Sequence, residues 1–545
     1  MERIFADLHS HPVAWSFNAL RNTPQEKEPI LFTPWNIPES NVKRQAKGKR
    51  VGYSQADFAK LLVGRTKLIF ASLYPIEKGF FRDKFFRVLR AKKGIRTGKK
   101  HTLLDMAQTK FMGISKERVE FFQGKEIEGE IYDYWDELQK EYDFYLKGAN
   151  KVNEVCVDTW ENGQRVQYKT KGSYQIAKTP ADVTESVNSP DQVAVVLTIE
   201  GMHALGIGNP DVAQDIPLHL LKERIAALKG ESKTIPNWEH PVFFITFAHH
   251  FDNTLCGHAH SFPNIANKCF LDQSKNLEAG FNSKGLEIAK DMLGLDEQLK
   301  DTGSRRILLD VKHMSPQARA DYYQHIVEPY NSSADVKKKL PIVASHVGYS
   351  GAQTLEQLIE ESHLEKTKGL FGKYNRSDNF ERDDFYAWGI NLCDQDIEQI
   401  HKSEGLLGLA FDQRILGVRK KERRENNIDA FTRTIERIVL VPFKADLDNP
   451  AAIWDTISIG TDFEGYIDPL DPYPTAMEFK NFAEDLKGGL YQLKKRSPFL
   501  FGDLEVEEII QKISFGNAYQ FLIKHFEFGF GQRMNQVKQS GNIVS

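Results

Sequence analysis

Along this chain, short apolar runs rich in β-branched and aromatic residues alternate with longer polar stretches. The runs are Arg3–Leu8, Lys67–Leu73, Val193–Ile199, Val242–Ala248, Arg306–Val311, Pro341–Ser345, Gly405–Ala410 and Ile457–Thr461. Each has the length of a buried strand. Between them, Ser283–Leu293 sets Leu286, Ile288, Ala289, Met292 and Leu293 on a helical period. Asp394–Ser403 opens with an acidic turn and leads straight into the seventh run, as a helix feeding a parallel strand should. Strand alternating with helix implies a parallel sheet, and eight strands allow it to close. The expected fold is therefore α/β, a TIM-type (β/α)8 barrel. The competing doubly wound open sheet lacks the glycine-rich phosphate loop that often follows its first strand.

The spacing of the runs is uneven. About 120 residues separate Leu73 from Val193, far more than a βα unit requires. Within that gap Ile131, Trp135, Leu138, Tyr142 and Tyr145 recur at intervals of three and four. This predicts a large helical insertion at about 76–190, between strands 2 and 3. A second, charged insertion is expected at about 353–386, and 1–545 is read as a single barrel domain carrying both. Lys78–Lys100 holds ten basic residues against Asp83 alone, with Phe80, Phe81, Phe85, Phe86 and Leu89 interleaved. It reads as a solvated helix whose aromatic face packs on the barrel or on another subunit of a homo-oligomer; contact with an anionic surface or a partner is the alternative.

Composition narrows the classes further. The 545 residues are 41% hydrophobic and 27% charged with a formal net charge of -3, a globular balance with no overall attraction to nucleic acid or anionic membranes. No apolar run approaches the roughly 20 residues that span a bilayer. Cys156, Cys256, Cys269 and Cys393 form no CxxC pair, so reduced, buried thiols and a cytoplasmic setting are expected.

Chemistry enters where the runs end. His9 and His11 close the first, Glu200 the third, His249 the fourth, His313 the fifth, His346 the sixth and Asp462 the eighth. In a parallel barrel all these ends meet at one mouth. Histidine and carboxylate are ligand types of zinc and similar divalent ions, and residues i and i+2 of a strand point the same way, so His9 and His11 can grip one ion. A lone histidine beside an apolar strand is ordinarily a hydrogen-bonded core residue, and His258 and His260 repeat the His-x-His pattern elsewhere. The convergence, more than any single residue, predicts a metal site. Two cations bridged by a carboxylate can lower the pKa of a shared water, Asp462 is the candidate base, and His249 is placed to polarise a substrate carbonyl.

The blocks DLHSHP, TIEGMH, FFITFAHHFDN, ILLDVKHMS, PIVASH, INLCDQDIEQI, ISIGTDFEG and ISFGNAYQFL, in this order, resemble the membrane (renal) dipeptidase family of the amidohydrolase superfamily. The resemblance implies a metal-dependent hydrolase of a peptide or related amide bond, with two divalent ions, zinc being expected and manganese the alternative. It implies that His9 and His11 bind the first metal, Glu200 bridges, His313 and His346 bind the second, Asp462 shuttles the proton and His249 faces the substrate. His250 is the rival for that last role, but adjacent strand residues are expected to face opposite sides and the block aligns better through His249. Lys312 should by the same rule point away from the mouth. The chain departs from the family in two places: His-x-His stands for His-x-Asp on the first strand, and Ile390-Asn391 stands for an Arg-Asn whose arginine binds the substrate carboxylate. Arg414, leaving the seventh strand, is the candidate replacement. Two other functions compete: a metal-dependent phosphoesterase of the polymerase-and-histidinol-phosphatase type, for which the His expected soon after Asp462 is missing, and a non-catalytic metal-binding barrel.

Overall fold

The computed structural model describes residues 2–20, 33–35, 43–46, 49–52, 54–81, 116–127, 129–161, 164–262, 271, 273–333, 338–360, 385–418 and 427–526. All eight runs form strands: β1 (Phe5–Ser10), β2 (Thr66–Leu73), β3 (Gln192–Glu200), β4 (Phe244–Thr246), β5 (Leu308–Asp310), β6 (Val343–Val347), β7 (Leu406–Leu409) and β8 (Ile457–Ile459). They pair in parallel in chain order. The Asp462 amide donates to the His9 carbonyl at 2.9 Å and the His11 amide to the Phe463 carbonyl at 3.0 Å, which joins β8 back to β1. The closed ring puts every C-terminal strand end at one mouth.

Inside the ring, two buried carboxylates tie neighbouring strands together. Asp7 accepts from the Thr461 hydroxyl at 2.5 Å and the Thr461 amide at 2.9 Å, linking β1 to the end of β8. Asp310 accepts from the hydroxyls of Thr246 and Ser345, both at 2.6 Å, linking β4, β5 and β6. Burial pushes the Asp7 carboxyl up to about 7 against the opposing Thr461 bonds. Between β6 and β8 the backbones come so close that a Cβ on Gly460 would lie 1.9 Å from the Ser345 carbonyl oxygen. Only glycine fits there, and the floor beneath the mouth is correspondingly narrow.

The first insertion differs in part from the expectation. It holds helices Lys116–Phe122 and Tyr134–Gly148, but also an antiparallel hairpin, Asn153–Glu161 with Gln164–Ile176. The end of that hairpin runs parallel along the first half of β3, so the insertion extends the barrel sheet. A hairpin signal stands in the sequence as Asn162-Gly163 between β-rich flanks, and the strong helical period upstream hides it. Leu138, Tyr142 and Tyr145 are buried as the period requires, whereas Ile131 precedes the helix and is 62% exposed. Of the basic segment only Lys78–Phe81 is described; Lys78 is buried and pairs with Asp211 at 3.0 Å. Most of the second insertion, 361–384, also lies outside the described residues. Cys256 and Cys393 are buried free thiols, Cys156 is exposed, and Cys269 is not among the described residues. No helix among the described residues is long and apolar enough to cross a membrane.

One buried ion pair locks the outer helices to the mouth. Arg319, on helix Pro316–Tyr322, donates from Nε to Asp396 at 2.9 Å and from a terminal nitrogen at 3.0 Å. Its remaining donors reach the carbonyls of Met314, Gly389 and Asn391. Asp396 begins the helix that feeds β7 and also accepts from the Tyr323 hydroxyl and the Cys393 amide. Removing one partner strands a buried charge, which costs about 3–5 kcal/mol. Asp396→Ala should therefore lower unfolding stability by that amount in urea titration, and far more than Glu398→Ala on the exposed side of the same helix.

Candidate metal centre

Glu200, the last residue of β3, sits at the middle of the mouth and is 3% exposed. Its Oε2 lies 3.1 Å from His11 Nε2. Its Oε1 lies 3.4 Å from His9 Nε2 and His313 Nε2, and 3.5 Å from His249 Nε2 and His346 Nε2. Asp462 stands across from it, its Oδ1 3.8 Å from both His9 Nε2 and His11 Nε2 and its Oδ2 4.0 Å from His346 Nε2. The structure thus brings all seven residues from the strand ends together. Arg414 leaves β7 nearby, but its guanidinium is committed: Nε donates to the two oxygens of Asp412 at 3.0 and 3.1 Å, and a terminal nitrogen also bonds that carboxylate.

Local backbone explains how neighbours that should diverge converge. His313 and Asp462 both adopt left-handed φ, 65° and 62°, conformations uncommon for residues other than glycine and costly enough to mark functional sites. Asp310 faces inward, so two-residue alternation also sends Lys312 inward, and the turn at His313 then brings that ring in as well. The expectation that Lys312 points away is therefore corrected. Lys312 is buried beside the site, where burial pulls its ammonium down to about 8 against the opposing charges of Asp462, Asp310 and Asp412. Alternation fails at His249 and His250 too, because β4 ends at Thr246 and both follow in irregular backbone. Their rings lie 4.0 Å apart, and both approach His313. Gly201, at φ 91°, leaves room for His203 and His249; a Cβ there would lie 2.3 Å from His203 Nδ1.

Around these residues lies a set of partners that orient the rings. His11 Nδ1 donates to the Ser72 carbonyl at 2.8 Å, which turns Nε2 toward Glu200. His346 Nδ1 lies 2.8 Å from the Ser345 hydroxyl, which donates on to Asp310. His249 Nδ1 lies 2.5 Å from Glu77 Oε2. Glu77 and Asp310 were not among the residues read from the sequence. Glu77 carries a sequence signal all the same: it is a lone acid just beyond β2, a strand end with no other mouth residue among those above. The second His-x-His is different: the two His258 ring nitrogens face the carbonyls of Ala259 and Lys275.

The donor set fits divalent cations. His9 Nε2 and His11 Nε2 are buried and make no hydrogen bond, an expensive state unless something binds them. Nitrogen and oxygen ligands at the zinc distance of roughly 2.0–2.2 Å stand about 3.4 Å apart around a tetrahedron, close to the spacings on Glu200. Among the described residues two triads share Glu200, His9/His11/Glu200 and Glu200/His313/His346, with His9/His346/Asp462 between them and His249/His250/His313 beside them. Burial opposes the charge on Glu200, yet His249, His9, His11 and His313 hold its carboxyl well below the usual range. Burial likewise keeps His313 and His346 well below the ordinary imidazole value, hence neutral and ready to ligate.

No family model and no curated protein matches this chain. Solved structures do. A dipeptidase described as a metallopeptidase of family M19 is 14% identical over 96% of this chain and 99% of its own, with TM-score 0.47. A metallopeptidase from Rhodobacter sphaeroides, liganded with a phosphinate mimic of the dipeptide L-Ala-D-Ala, is 13% identical over 96% and 99%, with TM-score 0.45. The probable dipeptidase PvdM from Pseudomonas aeruginosa is 13% identical over 96% and 95%, with TM-score 0.44.

His11 supplies a pH test of cation binding. Burial disfavours its charge, but the Glu200 carboxylate 3.1 Å away, with Asp462 and Glu141 beyond, outweighs burial and carries the ring up to about 9. A cation at Nε2 must displace that proton. Affinity should therefore climb by up to tenfold per pH unit below about 9 and level off above it. Calorimetry in buffers of different ionisation enthalpy should register about one proton released per chain near pH 7.5 on this account.

Proposed function

We propose that this chain is a metal-dependent hydrolase of the membrane dipeptidase type, cleaving a peptide or related amide bond. The observation that carries the reading is the Glu200 carboxylate, both of whose oxygens face imidazole Nε2 atoms. His9, His11 and Glu200 would hold one divalent cation, and Glu200, His313 and His346 a second, with zinc favoured by the nitrogen-rich donor set. When bound, such a pair supplies an activated water and polarises the scissile carbonyl.

The chain's own part is proton handling. Asp462 lies between the two triads, within 4.0 Å of His9, His11 and His346. Burial, reinforced by the charge of Glu200, pushes its carboxyl well above the usual range, with His11 and Lys312 opposing. A carboxylate so placed takes a proton readily and can return it to the leaving amine. Its left-handed backbone aims it back over the mouth, where Phe463 and Glu464 continue the turn. Glu464 is spent on the Gln55 and Ala56 amides.

Two experiments test this reading. Asp462→Asn should retain most of the bound metal and lose on the order of a hundredfold in turnover of a susceptible dipeptide or amide, the scale of a positioned acid–base group. Near wild-type rates would remove Asp462 from the mechanism, and phosphatase activity without amide cleavage would favour the phosphoesterase. The second test concerns the substrate carboxylate. Ile390 brings no charge, and Arg414 is held by Asp412. A charged hydrogen bond is worth about 1.5–3 kcal/mol, so its lack predicts less than about a tenfold preference for a free acid over the matching amide. Arg414→Ala should leave that preference unchanged in paired kcat/KM measurements.

A further inference from the structure

His249 and His250 follow each other at the mouth, yet their surroundings differ in kind. His249 Nδ1 lies 2.5 Å from Glu77 Oε2. Glu77 is 2% exposed, and its oxygens also accept from the Phe251 amide at 3.1 Å and, at 3.4 Å, from the His250 amide. Fixed donors on both oxygens hold this carboxylate as an acceptor, so His249 must be the donor, through Nδ1–H. That tautomer leaves Nε2 with its lone pair, and Nε2 faces Glu200 Oε1 at 3.5 Å. His250 instead has a hydroxyl partner, Ser261 Oγ, at 2.8 Å from its Nδ1.

A histidine that gives one N–H to a carboxylate and turns its other nitrogen to a cation site has the arrangement of a metal ligand. The spacing agrees. Glu200 Oε1 is 3.4 Å from His313 Nε2, 3.5 Å from His346 Nε2 and 3.5 Å from His249 Nε2, and the first two nitrogens are 3.2 Å apart. His249, His250 and His313 also form a group whose ligand atoms lie within 4.8 Å of one another, and of the two neighbours His249 is the one with a carboxylate on its far nitrogen. Packing fixes the ring further: Tyr74 meets it edge-on at 4.9 Å, and Gly201 gives it room that a side chain would fill.

We propose that His249 is a third imidazole ligand of the second divalent cation, oriented by Glu77, in place of the substrate-side role implied by the family resemblance. The second cation is then held by His249, His313, His346 and Glu200, the first by His9, His11 and Glu200. Glu77 is a positioning residue and touches no reacting atom. The proposal rests on the two-cation reading of the mouth and deepens it.

The test is metal binding, independent of turnover. Metal-free wild type, His249→Ala and Glu77→Gln are titrated with Zn2+ against a chromogenic chelator, and with Co2+ by visible absorption; circular dichroism checks that each variant is folded. Wild type should bind two ions. His249→Ala should weaken one of them by about a hundredfold or more and alter the Co2+ spectrum, leaving the other ion in place. Glu77→Gln, which keeps the shape and an acceptor oxygen, should weaken the same ion by roughly 10–100-fold. Two ions bound with wild-type affinity in both variants would overturn the ligand assignment while the two-cation reading stood. A folded wild type that takes up fewer than two ions would overturn both.

Discussion

The structure turns on a single buried negative charge. Glu200 is almost wholly removed from water and ringed by five imidazoles, of which His249, His9, His11 and His313 hold it ionised. An isolated carboxylate in such a place would cost many kcal/mol. Here it is tolerable because positive charge, whether protons or cations, can be gathered around it. The rings must then arrive from four different strand ends at the right depth, and that requirement accounts for the closed barrel and the two left-handed turns at His313 and Asp462.

Below this centre lies a second tier in which carboxylates are satisfied by hydroxyls and amides. Asp7 binds Thr461, and Asp310 binds Thr246 and Ser345. Asp310 reaches upward through the Ser345 hydroxyl to His346 Nδ1, as Glu77 reaches His249 and the Ser72 carbonyl reaches His11. Three rings of the upper tier are thus oriented by fixed partners, two from β2 or its exit and one from the Ser345–Asp310 pair of β6 and β5. Preorganisation of this kind makes a cation site stiff and selective instead of merely acidic.

Much of this was legible in the sequence because barrel geometry converts strand order into convergence. The alternation of short apolar runs with helical stretches located all eight strands, and the residues that end them named Glu200 and its imidazole neighbours. What escaped reading has physical reasons. Strand alternation predicts side-chain direction only while the backbone stays extended. It gave way at His249–His250 and at His313, where the chain had already left the strand, so the pairings of Lys312 and His250 came out differently. Glu77 lies past the end of β2, in irregular backbone where no periodicity marks it. Glu77 and its partners meet only in space. The hairpin at Asn153–Ile176 was lost behind a helical period that belongs to Tyr134–Gly148 next to it.

The central claim is that Glu200 is the bridge between two cations. The most direct measurement is the number of divalent ions per chain, by elemental analysis after reconstitution and gel filtration, for wild type and for Glu200→Gln. The account predicts two ions in the wild type. In the folded variant it predicts sharply weakened binding of at least one, since the neutral amide can neither balance two cations nor offer both an anionic pair of oxygens. Wild type that retains no more than one ion, or a Glu200→Gln chain that retains two with unchanged affinity, would contradict it.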